Sequence, residues 1–153
     1  MSRTFGNQYV ISGTGTVSAG VTATPTQINE DFKGVSVYIP VTYDSGYSGP
    51  SDDISAYLQW SPDGGTTWLL LGNSPSPLSA KINNTFTSLL VTTGPVVALS
   101  NGVSFQESGS TVNGFANQAV VLPRTWRLAL SIGALSAATY TIGDILVEYL
   151  LEN

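Results

Sequence analysis

Few residues of this chain have side chains suited to catalysis. Asp52-Asp53 and Glu30-Asp31 are its only adjacent carboxylates. Cleaving a sugar linkage takes two carboxylates held about 5–10 Å apart across the scissile bond. Neighbours on an extended chain point to opposite sides, so neither pair forms such a site alone. The Asp52-Asp53 loop offers oxygens of the kind Ca²⁺ takes, but without EF-hand spacing, and solvated turn residues are the simpler reading. The chain has no cysteine and no histidine. That removes a Ser-His-Asp triad, a thiolate nucleophile, the common zinc sites and any disulfide. Proton transfer would fall to a carboxylate, a lysine or a tyrosine. The stretch Gly13–Gly20 is Gly-rich but lacks a lysine and a following helix, which argues against a phosphate loop. The expectation is a protein that is not an enzyme, with no catalytic residues, no cofactor and no metal.

Binding chemistry rests with the aromatic residues. Tyr43, Tyr47, Tyr57, Trp60 and Trp68 are of the type that stacks on sugars. Trp60 and Trp126 fit a core better, with the tyrosines at a rim or subunit contact. Tyr57 alternates against Trp60 and so faces the other way. Tyr47 lies in the polar loop 44–51, and Tyr9 in a short apolar patch near the N-terminus. Tyr9, Tyr47 and Tyr57 are therefore the candidate contact residues, with a glycan as the alternative ligand.

Composition narrows the partners. Charged residues make up 10% of the 153 positions and hydrophobic ones 42%, with net charge −5. Five basic residues are too few for a basic patch, so no nucleic acid is expected. An anionic membrane would repel the chain, and its apolar runs are too short to span one. The first residues, MSRTFGNQYVISG, lack the apolar core of a secretion signal. The sequon Asn83-Asn84-Thr85 then reads as chance. Ser, Thr, Gly and Asn in place of charge point to turn-rich β-structure whose neutral surface is covered by partners.

The strongest local signal runs from Asp52 to Gly72. Ile54, Ala56, Leu58 and Trp60 alternate with Ser55, Tyr57, Gln59 and Ser61, as in a half-buried strand. At Ser61-Pro62-Asp63-Gly64-Gly65, Pro62 pre-sets φ, Asp63 suits the next position, and Gly64 or Gly65 supplies the positive φ that closes a hairpin. The returning arm, Thr66–Leu71, is apolar on both faces and reads as a strand covered on each side.

Elsewhere, residues 1–15 read as a flexible arm or an edge strand, and 16–153 as one domain. Thr16–Thr24 reads as a strand ended by Pro25. Phe32–Tyr43 is another, with Val35, Val37, Ile39 and Val41 on one face; Pro40 implies an edge or a bulge near its end. Asn73–Pro77 reads as a stiff linker. Thr85–Thr92 and Pro95–Ser100 read as strands, with Val103–Phe105 a third. Gln106–Gly114 reads as a loop, and Phe115–Leu122 as a strand. Trp126–Ile132 puts Trp126, Leu128, Leu130 and Ile132 on one face, turns at Gly133–Ser136, and returns as Tyr140–Leu151 with a bulge at Gly143-Asp144. That hairpin would bring Arg127 near Asp144. No stretch keeps a 3.6-residue apolar period. The pattern predicts an all-β, antiparallel two-sheet sandwich, jelly-roll-like.

Two resemblances follow from these residues. Ser61, Asp63, Gly65, Thr67 and Trp68 resemble the Asp-box, S-x-D-x-G-x-T-W, of sialidases and other β-proteins. The resemblance implies a folding device: Asp63 holds turn N–H groups and Trp68 packs on the hairpin. One copy in 153 residues does not make a sialidase propeller. The order of Leu58-Gln59-Trp60-Ser61, the turn Pro62–Gly65, Thr66-Thr67-Trp68, then Trp126-Arg127-Leu128 and the strand from Thr139 to Glu148 is similar to small β-sandwich virion proteins of tailed bacteriophages. That likeness implies assembly in the host cytoplasm and residence in the virion. It further implies a capsid decoration (cement) role as a homo-oligomer, a trimer on three-fold positions, bound to the major capsid or another virion protein. The alternative is a carbohydrate-binding module or receptor-binding tip.

Overall fold

The computed structural model describes residues 5–49, 52–73, 76–77, 79–82, 88–94 and 114–150. The proposed strands Pro95–Ser100 and Val103–Phe105, the sequon and most of the loop 106–114 lie outside them. The described residues form an all-β fold of two facing sheets with a small hairpin.

Alternating apolar side chains explain the core. In β5 (Gly34–Ser45), Val35, Val37, Ile39 and Val41 point inward. They meet Ile54, Ala56 and Leu58 of β6 (Ile54–Trp60), and Trp126, Leu128, Leu130 and Ile132 of β13 (Thr125–Ile132). Ile145, Val147 and Tyr149 of β15 (Ile145–Leu150) join them. Trp126 is fully buried, while Trp60 is only partly covered against the same cluster.

In the first sheet, β5 is central. On one side it pairs with β15 and then β14 (Thr139–Ile142), which carry β1 (Phe5–Ile11) and β2 (Gly15–Val17) at the edge. On the other side lies β11 (Ser88–Gly94), followed by β12 (Gly114–Ala119). The β11–β12 pair is parallel, a departure from the antiparallel pattern. Parallel neighbours need a long connection, and the separation from Gly94 to Gly114 provides the chain length.

The second sheet centres on β6 and β13. One edge consists of β3 (Gly20–Ala23) and β4 (Gln27–Ile28) on β13; the other of β7 (Leu69–Leu70) and β10 (Ser79–Ile82) on β6. Between them, β8 (Gly72–Asn73) and β9 (Ser76–Pro77) pair as a tiny hairpin where a linker was expected. The chain passes between the sheets after β2, β4, β5, β10, β12 and β13, which is consistent with a β-sandwich.

Several strands differ from the sequence pattern. Thr16–Thr24 is two strands, β2 and β3, in different sheets; Gly20, at φ 107°, opens the second. The apolar face does not carry across the crossing: Val17 is buried in β2, whereas Val21 of β3 is 60% exposed and Thr24 after it is buried. Thr66–Leu71 is not covered on both sides. Only Leu69 and Leu70 pair with β6, at an edge, 44% and 51% exposed. Gly133–Ser136 does not join a hairpin, since β13 and β14 belong to opposite sheets. Arg127 therefore does not meet Asp144: Asp144 accepts a bond from the Gly13 N–H at 3.0 Å, and Arg127 bonds Gln59 across β6. Pro40 lies in the central strand, yet costs no ladder bond. Its carbonyl accepts from the Gly143 N–H at 3.0 Å, so its nitrogen faces the same break between β14 and β15. A Cβ added at Gly143 would lie 3.0 Å from the Pro40 ring, a tight contact that the ring would have to relieve by a few tenths of an ångström.

Side chains replace backbone bonds where strands stop. Between β3 and β4, Thr24 Oγ1 accepts from the Leu128 N–H at 3.1 Å, covering the interruption at Pro25. Buried Asn29 donates from Nδ2 to the carbonyls of Phe32 (2.9 Å) and Leu122 (3.1 Å), and its Oδ1 accepts from the Phe32 N–H at 3.0 Å. Thr93 Oγ1 donates to the Val120 carbonyl, tying β11 to the segment that follows β12.

Candidate contact surface

The Ser61–Trp68 turn is an interlocked set of short-range bonds. Asp63 Oδ1 accepts from the Ser61 hydroxyl (2.8 Å) and from the N–H groups of Thr66 (3.1 Å) and Thr67 (2.7 Å). Ser61 Oγ in turn accepts from the Gly65 N–H at 2.7 Å. Gly64 and Gly65 stand at φ 74° and 110°, the left-handed region that side chains disfavour. Donors converging on the carboxylate, chiefly from Thr67, hold the Asp63 pKa down to about 2. A depressed folded-state pKa adds stability above the ordinary carboxylate range. That contribution fades as pH falls from about 4 toward about 2. Asp63→Asn should therefore lower the melting temperature at pH 6 by roughly 2–5 °C, and by much less near pH 2.5. A thermal scan at both pH values checks this; an equal loss at each would mean the charge is irrelevant.

The turn places Trp68 against β13. The Arg127 guanidinium lies 4.1 Å from the centre of the Trp68 ring, and its Nε donates to Gln59 Oε1 at 2.7 Å. Trp68, Gln59 and Arg127 thus form one unit on the outer face of the second sheet. The stack fixes a long side chain that would otherwise be mobile. Strand register sets the rest of this face. Leu70, Gln59 and Arg127 form one row; Tyr57, Ala129 and Ala23 a second; Ser55, Ser131 and Val21 a third.

The three candidate tyrosines occupy different places. Tyr57, half-exposed, belongs to this outer face. Tyr47 folds onto its own loop: its hydroxyl donates to Asp53 Oδ1 at 3.0 Å, its N–H donates to the Tyr43 hydroxyl at 3.0 Å, and its ring meets Tyr43 edge-on. Burial and the Asp53 carboxylate raise its pKa. Tyr9, half-buried, ties two sheet edges together. Its hydroxyl donates to Gln27 Oε1 at 2.8 Å and lies 3.3 Å from the Tyr149 hydroxyl, which itself accepts from Trp126 Nε1 at 3.2 Å. Desolvation, with the Tyr149 bond, pushes the Tyr9 pKa far up. Tyr9 and Tyr47 are thus bound into the fold, and no single surface joins all three tyrosines.

The carboxylates are engaged likewise. Asp52 Oδ2 accepts from the Ser48 N–H (2.7 Å), the Ser48 hydroxyl (2.7 Å) and the Gly49 N–H (3.0 Å). Its pKa falls to about 2, chiefly through hydrogen bonds from Ser136 and Ser48. Its backbone carbonyl accepts from the buried Tyr140 hydroxyl at 3.1 Å; burial, with nearby Asp53 next in effect, pushes the Tyr140 pKa up to about 12. Asp52 is thus the knot of the 44–53 loop, a role that adjacency in sequence does not reveal. Glu30 and Asp31 are exposed beside an open pocket of roughly 280 Å³, lined also by Lys33, Phe32, Val121 and Arg124. Among the described residues no group of three His, Cys, Asp or Glu is placed to hold a metal ion.

Sequence reading missed Arg127 as part of a surface, because its partners come from strands far apart in the chain. The alternation Trp126-Arg127-Leu128 does carry the signal: an arginine between two core residues must face outward. No protein-family model matches the chain, and no curated protein matches it.

Proposed function

We propose that this chain is a structural virion protein that works as a homo-oligomer, a decoration protein bound to the shell of a tailed bacteriophage. One observation supports this reading above others: apolar side chains stand on both open edges of the second sheet. Val21 and Ile28 are 60% and 52% exposed on the β3–β4 edge, and Leu69 and Leu70 are 44% and 51% exposed on the opposite, β7 edge. Proteins that stay single blunt such edges with charge, lysine above all. Of the two lysines in this chain, only Lys81 belongs to an edge strand of that sheet. Each edge is also split into two short strands, which leaves room for only a few added backbone bonds. The contacts therefore rest on side chains, and a low-charge surface can be covered without desolvating many ions. A trimer at three-fold positions follows from the resemblance to phage decoration proteins.

Sedimentation velocity of the free protein and its occupancy on purified shells test the proposal. The expected result is an oligomer that the double variant Leu69→Asp/Leu70→Asp shifts toward monomer, with at least a tenfold loss of shell occupancy. Those side chains are exposed at an edge, so the variant should keep its fold. A monomer at millimolar concentration that binds no shell would refute the reading.

A further inference from the structure

We propose that the outer face of the second sheet binds an acidic saccharide, with Arg127 holding the carboxylate and Tyr57 stacking on the ring. This site adjoins the proposed oligomer contacts, since Leu70 shares a row with Gln59 and Arg127 and Val21 lies on the same face, but it does not rest on that reading. Arg127 is pre-positioned: Trp68 supports its plane and Gln59 takes its Nε proton, while no described residue bonds its terminal nitrogens. A planar guanidinium held this way presents a ready fork to a carboxylate. Its nearest strand neighbours on the face, Gln59, Tyr57 and Ala129, are neutral; Ser55, Ser131 and Val21 lie farther along, with Lys81 opposite Ser55, and the described strand residues of this face include no acid, in a chain where acids outnumber bases ten to five.

Tyr57 supplies the second element. It stands directly opposite Ala129 and diagonal to Arg127 across the β6–β13 pair, a separation of about 7–8 Å. That is about the width of one pyranose with its exocyclic carboxylate. Ala129 is fully buried although it belongs to the outer face. Of its strand neighbours there, Ala23 and Ser131 are small and Arg127 leans on Trp68; Tyr57, directly opposite, is the bulkiest side chain able to cover it. A ring flat on the sheet has one face for a sugar. The hydroxyls of Ser55, Tyr57 and Ser131 have no partner among the described residues and suit sugar hydroxyls. An acidic peptide would satisfy Arg127 but leave the ring and these hydroxyls unused, so a saccharide is the better occupant.

The test is calorimetric titration of the intact protein with trigalacturonate, its methyl ester and hexaglutamate. Saturable binding of trigalacturonate is expected, weakened about tenfold or more by Arg127→Ala and by Tyr57→Ala, and at least as much by methyl esterification. Arg127→Gln keeps most of the side-chain volume and removes the charge, so it should abolish binding without unfolding the protein; a thermal melt confirms that. Absence of binding at millimolar trigalacturonate overturns the proposal. So does binding that the folded Arg127→Gln variant retains, or hexaglutamate binding as tight as that of the sugar, which would assign the face to an acidic protein.

Discussion

Trp126→Ala should destabilise the protein by about 3–5 kcal/mol, near the upper range for a single core truncation. Trp126 is fully buried at the start of β13, where that strand pairs with both β4 and β6. Its ring meets Tyr149 edge-on at 6.2 Å, and its Nε1 donates to the Tyr149 hydroxyl at 3.2 Å. Tyr149 stacks on Phe32 at 4.6 Å and reaches Tyr9, so the cavity would open at a junction of four aromatic side chains from both sheets. The lost indole also leaves the Tyr149 hydroxyl short of a donor in a buried site. Trp126→Phe separates the two effects: it keeps most of the volume and should cost about half as much. Urea denaturation monitored by the remaining tryptophans measures both. A loss under 1 kcal/mol for Trp126→Ala would mean that this junction is not packed as described.

Gly46→Ala should cost about 2–4 kcal/mol although it adds one methyl group at an exposed position. Gly46 follows β5 at φ 83°, which disfavours any Cβ, and the added atom would overlap the Ala137 carbonyl. The loops after β5 and before β14 would have to separate. That would strain the Ser45–Thr139 hydroxyl contact at 3.2 Å and the Tyr140 bond to Asp52. Gly64→Ala is the control. Gly64 has a similar φ of 74°, but its Cβ would meet no atom within 4 Å. Only the backbone preference remains there, about 1 kcal/mol. Thermal melts of the pair should rank Gly46→Ala well below Gly64→Ala. Equal losses would show that the two loops are not in close approach.

The sequence by itself determined the class of fold, the core and the turn. Alternation in Val35–Val41, Ile54–Leu58 and Trp126–Ile132 is a local property of each strand, since a side chain's face follows from its parity alone. The Asp63 turn is equally local: every partner of its carboxylate lies within four residues of it. Tertiary structure decided everything that depends on which strand lies beside which. Parity cannot tell a strand from two short strands in different sheets, so Thr16–Thr24 concealed the crossing between β2 and β3. An apolar run cannot tell a covered strand from an edge, so Leu69 and Leu70 carried the wrong expectation. A turn rich in Gly and Ser cannot tell a hairpin from a passage between sheets, and Arg127 was accordingly assigned to Asp144. The pairing of β13 with β6 instead set Arg127 beside Gln59, and the hairpin at Asp63 swung Trp68 beneath it. That surface joins residues 59, 68 and 127, and only long-range strand pairing, selected by burial of the opposite face, brings them together.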